Sequence, residues 1–295
     1  MNRATLRSIT VWLAVLALAG VPRAEDKPAA ATPPQIDWEV GPKRVSVEGF
    51  AEIDLPNGYY YTGKKGTAKL MELMGNLVSG KEAGFLAPGN IFQKSAEEPW
   101  FVVFEFSDVG YVSDAEKDKI DDAFRAKLLE QMKEGVKAGN EERKKRGFDT
   151  MEVAGWAVPP HYDDKTHNLE WGLKLKTSTG HDVVNYEVRL LGRKGYMQST
   201  LVLSAGQLEA KLPDFRSVLG SFDFKSGQRY AEYKQGDRLA KIGLLGLLGA
   251  GGLAVAAKTG LLKYVWKFLV IIVVAFAAFF KRIWDRLFGK KESVD

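Results

Sequence analysis

The C-terminal end of this chain carries more apolar surface than a small water-soluble element can hide. Residues 242–257 contain only glycine, alanine, valine, leucine and isoleucine. Lys258 and Lys263 bound a short interruption, and residues 264–280 are again apolar apart from Lys267. As helices the two runs would each span roughly 24–26 Å, slightly short of a hydrocarbon core of roughly 30 Å. Lys258, Lys263 and Lys267 can snorkel from the ends to make up the difference. The pattern predicts two transmembrane helices, 242–257 and 264–280, paired as a hairpin that turns near Thr259 and Gly260. Gly243, Gly246, Gly249, Ala250 and Ala254 would form a small-residue face, packing on the second helix or on another copy of the chain. The remaining residues, 281–295, form a basic amphipathic tail with Lys281, Arg282 and Arg286 beside Ile283, Trp284 and Leu287. A hairpin returns this tail to the side of the main domain, whereas its charge favours the cytoplasm. A single span is the alternative topology.

The other end has the form of an export signal. Arg3 and Arg7 precede an apolar run of about a dozen residues, and Gly20, Pro22 and Ala24 follow it. Residues 1–24 are therefore expected to be a signal peptide. Residues 25–35 carry Pro28, Pro33 and Pro34 among alanines, a linker composition. Both features place a domain of residues 36–235 outside the cytoplasm. The chain has no cysteine, which excludes disulfides, thiolate metal sites and cysteine nucleophiles. The formal charge of +5 is weighted toward the flanks of the apolar runs, so a lipid bilayer is the expected partner and nucleic acid is not.

Within 36–235 the periodicities are those of an α+β domain. Residues 45–55 alternate and end at Pro56-Asn57-Gly58, a turn signal. Thr67 is placed to cap a short helix bearing Leu70, Leu73, Met74 and Leu77, stopped at Gly75. Residues 100–106 read as a largely buried strand. Ile120, Phe124, Leu128, Met132 and Val136 recur every four residues, the apolar stripe of a helix laid on a core. Its continuation, 141–146, is a charge run read as a solvated helix end. Leu169, Trp171, Leu173 and Leu175 alternate with Glu170, Lys174 and Lys176. After a turn, Val184, Tyr186, Val188 and Leu190 alternate with Asn185, Glu187 and Arg189. Gly192-Arg193-Lys194-Gly195 turns into a further strand. The expectation is an antiparallel meander with one packed and one polar face. Pro213 opens a last helix with Phe215, Val218 and Leu219 inward, and Phe222 and Phe224 add a short strand.

Two constellations could carry chemistry. His161, Asp163, His167 and Glu170 lie within ten residues and could ligate a divalent metal or supply an acid and a base. Their spacing matches no compact zinc motif, and a segment after Pro159-Pro160 reads as a loop, where such residues serve turns. Lys174, Asn185, Glu187 and Arg189, with Glu170, could line a polar sheet face that binds a small charged molecule; the simpler reading is a solvated face of cross-strand ion pairs. Lys64 and Lys65 beside a helix start lack the glycines of a P-loop. No cofactor is predicted.

Four groups of residues carry a family resemblance: Leu55-Pro56-Asn57-Gly58-Tyr59; Gly110-Tyr111-Val112; Gly155-Trp156 with Pro159-Pro160-His161-Tyr162-Asp163; and Asn185-Tyr186 with Arg189-Leu190-Leu191-Gly192-Arg193-Lys194-Gly195. With Gly227-Gln228-Arg229-Tyr230 they resemble the DUF2167 family of uncharacterised bacterial membrane-anchored proteins, over nearly the whole mature chain. The resemblance implies a bacterial envelope protein and brings no activity. Leu212-Pro213-Asp214-Phe215 and Leu219-Gly220-Ser221-Phe222 also resemble the closing helix and strand of PsbP/Mog1-type domains, an antiparallel sheet with helices packed against it. The expected role is a non-catalytic binding or interaction module in the inner membrane, its main domain in the periplasm. A periplasmic metal-assisted or acid–base hydrolase and a transport accessory subunit are the alternatives.

Overall fold

The computed structural model describes residues 36–74, 76, 78–89 and 99–248. The expected signal peptide 1–24, linker 25–35, second span 264–280, tail 281–295, and Gly249, Ala250, Ala254, Gly75 and Leu77 lie outside the described residues. Among the described residues no helix is long and apolar enough to cross a membrane.

The domain is α+β, as the periodicities require. Eleven strands are described: β1 (Glu39–Val40), β2 (Lys43–Val47), β3 (Ala51–Leu55), β4 (Tyr59–Gly63), β5 (Glu82–Pro88), β6 (Phe101–Ser107), β7 (Met151–Asp163), β8 (Asn168–Thr177), β9 (Asp182–Leu191), β10 (Tyr196–Ser204) and β11 (Asp223–Phe224). The helices are α1 (Lys64–Leu73), α2 (Asp122–Lys145), α3 (Leu208–Gly220) and the single turn α4 (Leu244–Leu247). Eight strands form one antiparallel sheet in the order β1-β4-β5-β6-β10-β9-β8-β7, and β11-β3-β2 form a second. Helix α2 carries the chain from the middle of the large sheet to its far edge. The β7–β10 meander then returns until β10 pairs with β6 over seven residues.

The expectation of one polar sheet face is corrected here: both faces are covered. On one side α1, α2 and α4 pack through Met71, Leu128, Met132, Val136 and Leu244 onto Leu169, Trp171, Leu173 and Phe101. On the other, α3 and the small sheet pack through Phe215, Val218, Val47 and Ile53 onto Tyr186, Val188, Val102 and Phe104. Each strand alternates as expected, but the apolar row of β8 belongs to one core and that of β9 to the other.

Other expectations shift for local reasons. Helix α1 begins at Lys64, and the Thr67 hydroxyl donates back to the carbonyls of Thr62 and Gly63 (3.2 and 3.0 Å) instead of capping. Its buried face carries Thr67 and Met71, leaving Leu73 41% exposed. Helix α3 starts at Leu208 and contains Pro213 in its interior. Residues 159–163 are the end of strand β7, not a loop. Two prolines are tolerated there because β7 is the edge strand and its register with β8 shifts between Val158 and His161. Arg143, inside the charge run, is 2% exposed, and its guanidinium donates to the Asp149 carbonyl and Asn76.

Double coverage leaves polar groups inside. Glu105 of β6 lies directly across from Gln198 of β10, which lies across from Arg189 of β9. The Glu105 carboxylate accepts from the Ser79 hydroxyl (2.5 Å) and the Gln198 amide (3.3 Å). Burial pushes this carboxyl up to about 7. In the unfolded chain it titrates near the ordinary 4.5, so between these two pH values the folded state holds the extra proton. Stability from this group is full below pH 4.5 and is lost as pH rises through 7. Denaturant unfolding of the full chain should therefore show Glu105→Gln gaining about 1–3 kcal/mol on the parent between pH 5 and 8. Parallel pH profiles for the two proteins would overturn this account of Glu105.

Candidate functional site

The register of β7, β8 and β9 decides which candidate residues meet. His161 pairs with Glu170 across β7 and β8, and Tyr162 pairs with Leu169. Alternate residues on a strand point to opposite faces. His161 and Glu170 therefore lie on the face covered by α3. There Glu170, 8% exposed, accepts from the Tyr186 phenol (2.5 Å) and is 3.7 Å from the Arg216 guanidinium of α3. His161 Nε2 stands 4.0 Å from Glu170, while its Nδ1–H donates to the Pro159 carbonyl (3.1 Å). Burial, and then the bond to Glu170, holds the Tyr186 phenol above its ordinary range.

His167 goes to the other face. It occupies the left-handed position of the β7–β8 turn, at φ 55°, and its ring reaches the Tyr162 hydroxyl at 3.0 Å. That hydroxyl donates to Asp114 at 2.9 Å. Asp163 serves the turn, accepting from the Lys165 and Thr166 amides, chiefly the first, which holds its carboxyl below the usual range. The four residues of the expected loop are thus divided among three environments. Among the described residues no group of three or more His, Asp or Glu is placed to hold a metal.

The expected polar face is divided in the same way. Asn185, Glu187 and Arg189 lie across from Leu173, Trp171 and Leu169, on the α2 side. Glu170 and Lys174 lie across from Val188 and Val184, on the α3 side. Arg189 is enclosed: its guanidinium lies 5.0 Å from the ring centroids of both Trp171 and Tyr196, and 3.7 Å from Glu187. Burial raises the Glu187 carboxyl, opposed by Arg189. The row of Asn185, Glu187 and Arg189 stands in the core, whereas Lys174 is exposed as expected.

A different constellation assembles where the chain returns after β11. Residues 225–243 form a strap that crosses one end of the large sheet before α4 enters the core. The Gly110 amide donates to the Lys194 carbonyl (2.9 Å), and the Arg193 amide donates to the Gln228 carbonyl (2.8 Å). Gly192 bridges Arg229, and Tyr111 bridges Leu239. The Tyr111 ring is stacked between Tyr230 (4.6 Å) and Tyr233 (4.2 Å). Arg193 closes the clamp with two bonds of 2.7 Å to Asp237, which holds that carboxyl down at about 2. The His167 ring lies 5.2 Å from Tyr230, and the Tyr230 hydroxyl donates to the Val112 carbonyl.

Backbones approach too closely here for side chains. A Cβ on Gly195 would lie 2.0 Å from the Ser107 carbonyl oxygen; one on Gly110, at φ +96°, would lie 2.5 Å from that of Arg238. The motifs Gly110-Tyr111-Val112, Gly192 to Gly195 and Gly227 to Tyr230, far apart in sequence, are thereby brought together. Sequence reasoning missed Asp114, Tyr233 and Asp237, whose partners lie across the fold.

Stacked aromatic pairs contribute about 0.5–1.5 kcal/mol each beyond buried area. Tyr111→Ala should accordingly speed amide exchange in residues 229–241 by roughly ten- to a hundredfold, leaving β9 and β10 protected. Uniform loss of protection across the sheet would show instead that Tyr111 supports the whole core.

The model of one protein family, described as a protein of unknown function and designated DUF2167, matches residues 39–281. No curated protein matches. Similar solved structures include the following two. The solution structure of cyanobacterial PsbP from Synechocystis sp. PCC 6803 is 11% identical, covering 68% of this chain and 98% of that one, with a TM-score of 0.34. The Ran-binding protein Mog1p of Saccharomyces cerevisiae is 9% identical, covering 66% and 100%, with a TM-score of 0.33.

Proposed function

The chain belongs to the DUF2167 family, and we propose that it is a membrane-anchored, non-catalytic interaction module whose folded domain lies outside the cytoplasm. The observation that carries this reading is the strap. Leu244, Leu247 and Leu248 are 0–2% exposed and belong to the core shared by α2 and β8. The first seven residues of the expected span 242–257 are thus part of the domain, with Gly243 and Gly246 among them. The apolar run that continues from residue 249 starts at a fixed point of the fold. On this reading the folded domain is held next to whatever that run inserts into.

The candidate polar residues support binding over chemistry because they are committed to structural partners. Asp163 holds a turn, His167 holds Tyr162, and Glu170 is held by Tyr186 and Arg216. On this reading the protein resides in the inner membrane with its main domain in the periplasm, through a cleaved signal within 1–24.

A second reading rests on His161 and Glu170, the part of the expected catalytic loop that does meet, with Arg216 60% exposed beside it. It makes the protein an acid–base hydrolase. Glu170→Gln should then abolish turnover of an ester or phosphoester substrate with the fold retained.

Fractionation tests the first reading. The full chain should stay in the membrane pellet after alkaline wash, and protease added to spheroplasts should digest the domain. A chain ending at Leu248 should be released as soluble protein. Full-length chain with its original N-terminus in the cytosolic fraction would end the proposal.

A further inference from the structure

We infer that the strap and the adjoining β9–β10 turn form a surface that lies against the anionic phospholipid headgroups of the bilayer. This rests on the membrane-anchored reading above and names what the domain itself touches there. Leu239, 58% exposed, is the most exposed large hydrophobic side chain among the described residues, and Tyr233, 37% exposed, stands on the same strap. The Leu239 side chain is unexplained by the fold, because the bridge to Tyr111 needs only its backbone, and Tyr233, although stacked on Tyr111, remains 37% exposed.

Around them basic residues outnumber acidic ones, although Asp108, Glu232 and Asp237 lie among them. Lys194, Lys234 and Lys241 are exposed; Lys234 acts electrostatically on Asp237, and Lys194 and Lys241 make no ion pair among the described residues. Arg238 is exposed and paired with Asp108, while Arg193 and Asp237 neutralise each other. Asp108, Gly110, Arg193, Lys194, Asp237 and Arg238 line an open cleft of about 210 Å³ beside Leu239. An apolar and aromatic pair among exposed lysines, a few residues before a long apolar run, is the chemistry of a headgroup-level contact. Lysines near an anionic surface are attracted roughly additively, so the three exposed ones select anionic over zwitterionic lipid.

The absence of cysteine makes the test direct. Full-length protein carrying Leu239→Cys, labelled with an environment-sensitive fluorophore, is reconstituted into vesicles of phosphatidylcholine alone or with phosphatidylglycerol. Thr179→Cys, in the turn at the opposite end of the meander, is the control. The label at 239 should be blue-shifted and roughly fivefold less open to iodide quenching with phosphatidylglycerol present, and the label at 179 should be unaffected. Lys194→Gln with Lys234→Gln and Lys241→Gln should remove the difference while the protein still floats with the vesicles. Flotation with equal quenching at 239 and 179 overturns this surface and leaves the anchor standing. Equal protection in both vesicle types overturns the assignment to anionic lipid. Failure to float overturns the anchored reading and this inference together.

Discussion

A sheet packed on both faces has no solvent side to which a strand can send its polar residues. In this domain the large sheet lies between helices α1 and α2 and the layer made by α3 with the small sheet. Polar side chains in the middle strands must then be accommodated where they stand, and Arg189 Nε and Ser199 Oγ are buried there without a hydrogen bond. The interior row of Glu105, Gln198 and Arg189 follows from that constraint. A raised carboxyl at Glu105 and a guanidinium held between two aromatic rings at Arg189 are two ways of carrying polarity in a dry place. Attraction between Arg189 and Glu187 offsets part of the desolvation both suffer, without needing to stabilise the fold on balance.

The same constraint explains how far the sequence could be read. Alternation within β8 and within β9 was legible, and each strand keeps it. What alternation inside one strand lacks is the partner across the ladder. Register is set by the turn at 178–181, which places Trp171 opposite Glu187 and Glu170 opposite Val188. If one core is assumed, both apolar rows are assigned to it and the polar residues fall together on the other face. With two cores the rows separate, and the supposed site separates with them. Pro159 and Pro160 misled for a related reason: proline excludes a central strand but not an edge strand, and edge position belongs to the sheet as a whole. The helix of α2 was legible because its stripe needs only its own period.

The clamp on the strap was visible as motifs and hidden as a site. Gly195 and Gly110 are required because carbonyl oxygens of Ser107 and Arg238 pass where their Cβ atoms would be. Nothing near either glycine in sequence announces those neighbours. Tyr111 lies more than a hundred residues from both rings that enclose it. The expected domain ended at residue 235, short of the strap's last fixed points. The strap's order comes from Arg193, Tyr111 and Gly192, residues contributed by distant turns.

That order matters for the proposed role. A flexible linker of similar length would let the domain turn freely above a membrane, and any surface it offered would sample all directions. Here the chain is paired to the sheet at Gln228 and Arg229, stacked at Tyr230 and Tyr233, clamped at Asp237 and bridged at Leu239 before Leu244 enters the core. Successive fixed points a few residues apart leave little rotational freedom between the sheet and Leu248. Under the anchored reading, orientation is then a property of the folded domain, and the face that carries Leu239 is presented without an added ordering cost. Loosening the clamp would act first on the strap and on α4, which closes part of one core, while the strand ladder of the large sheet and the core under α3 are closed without them.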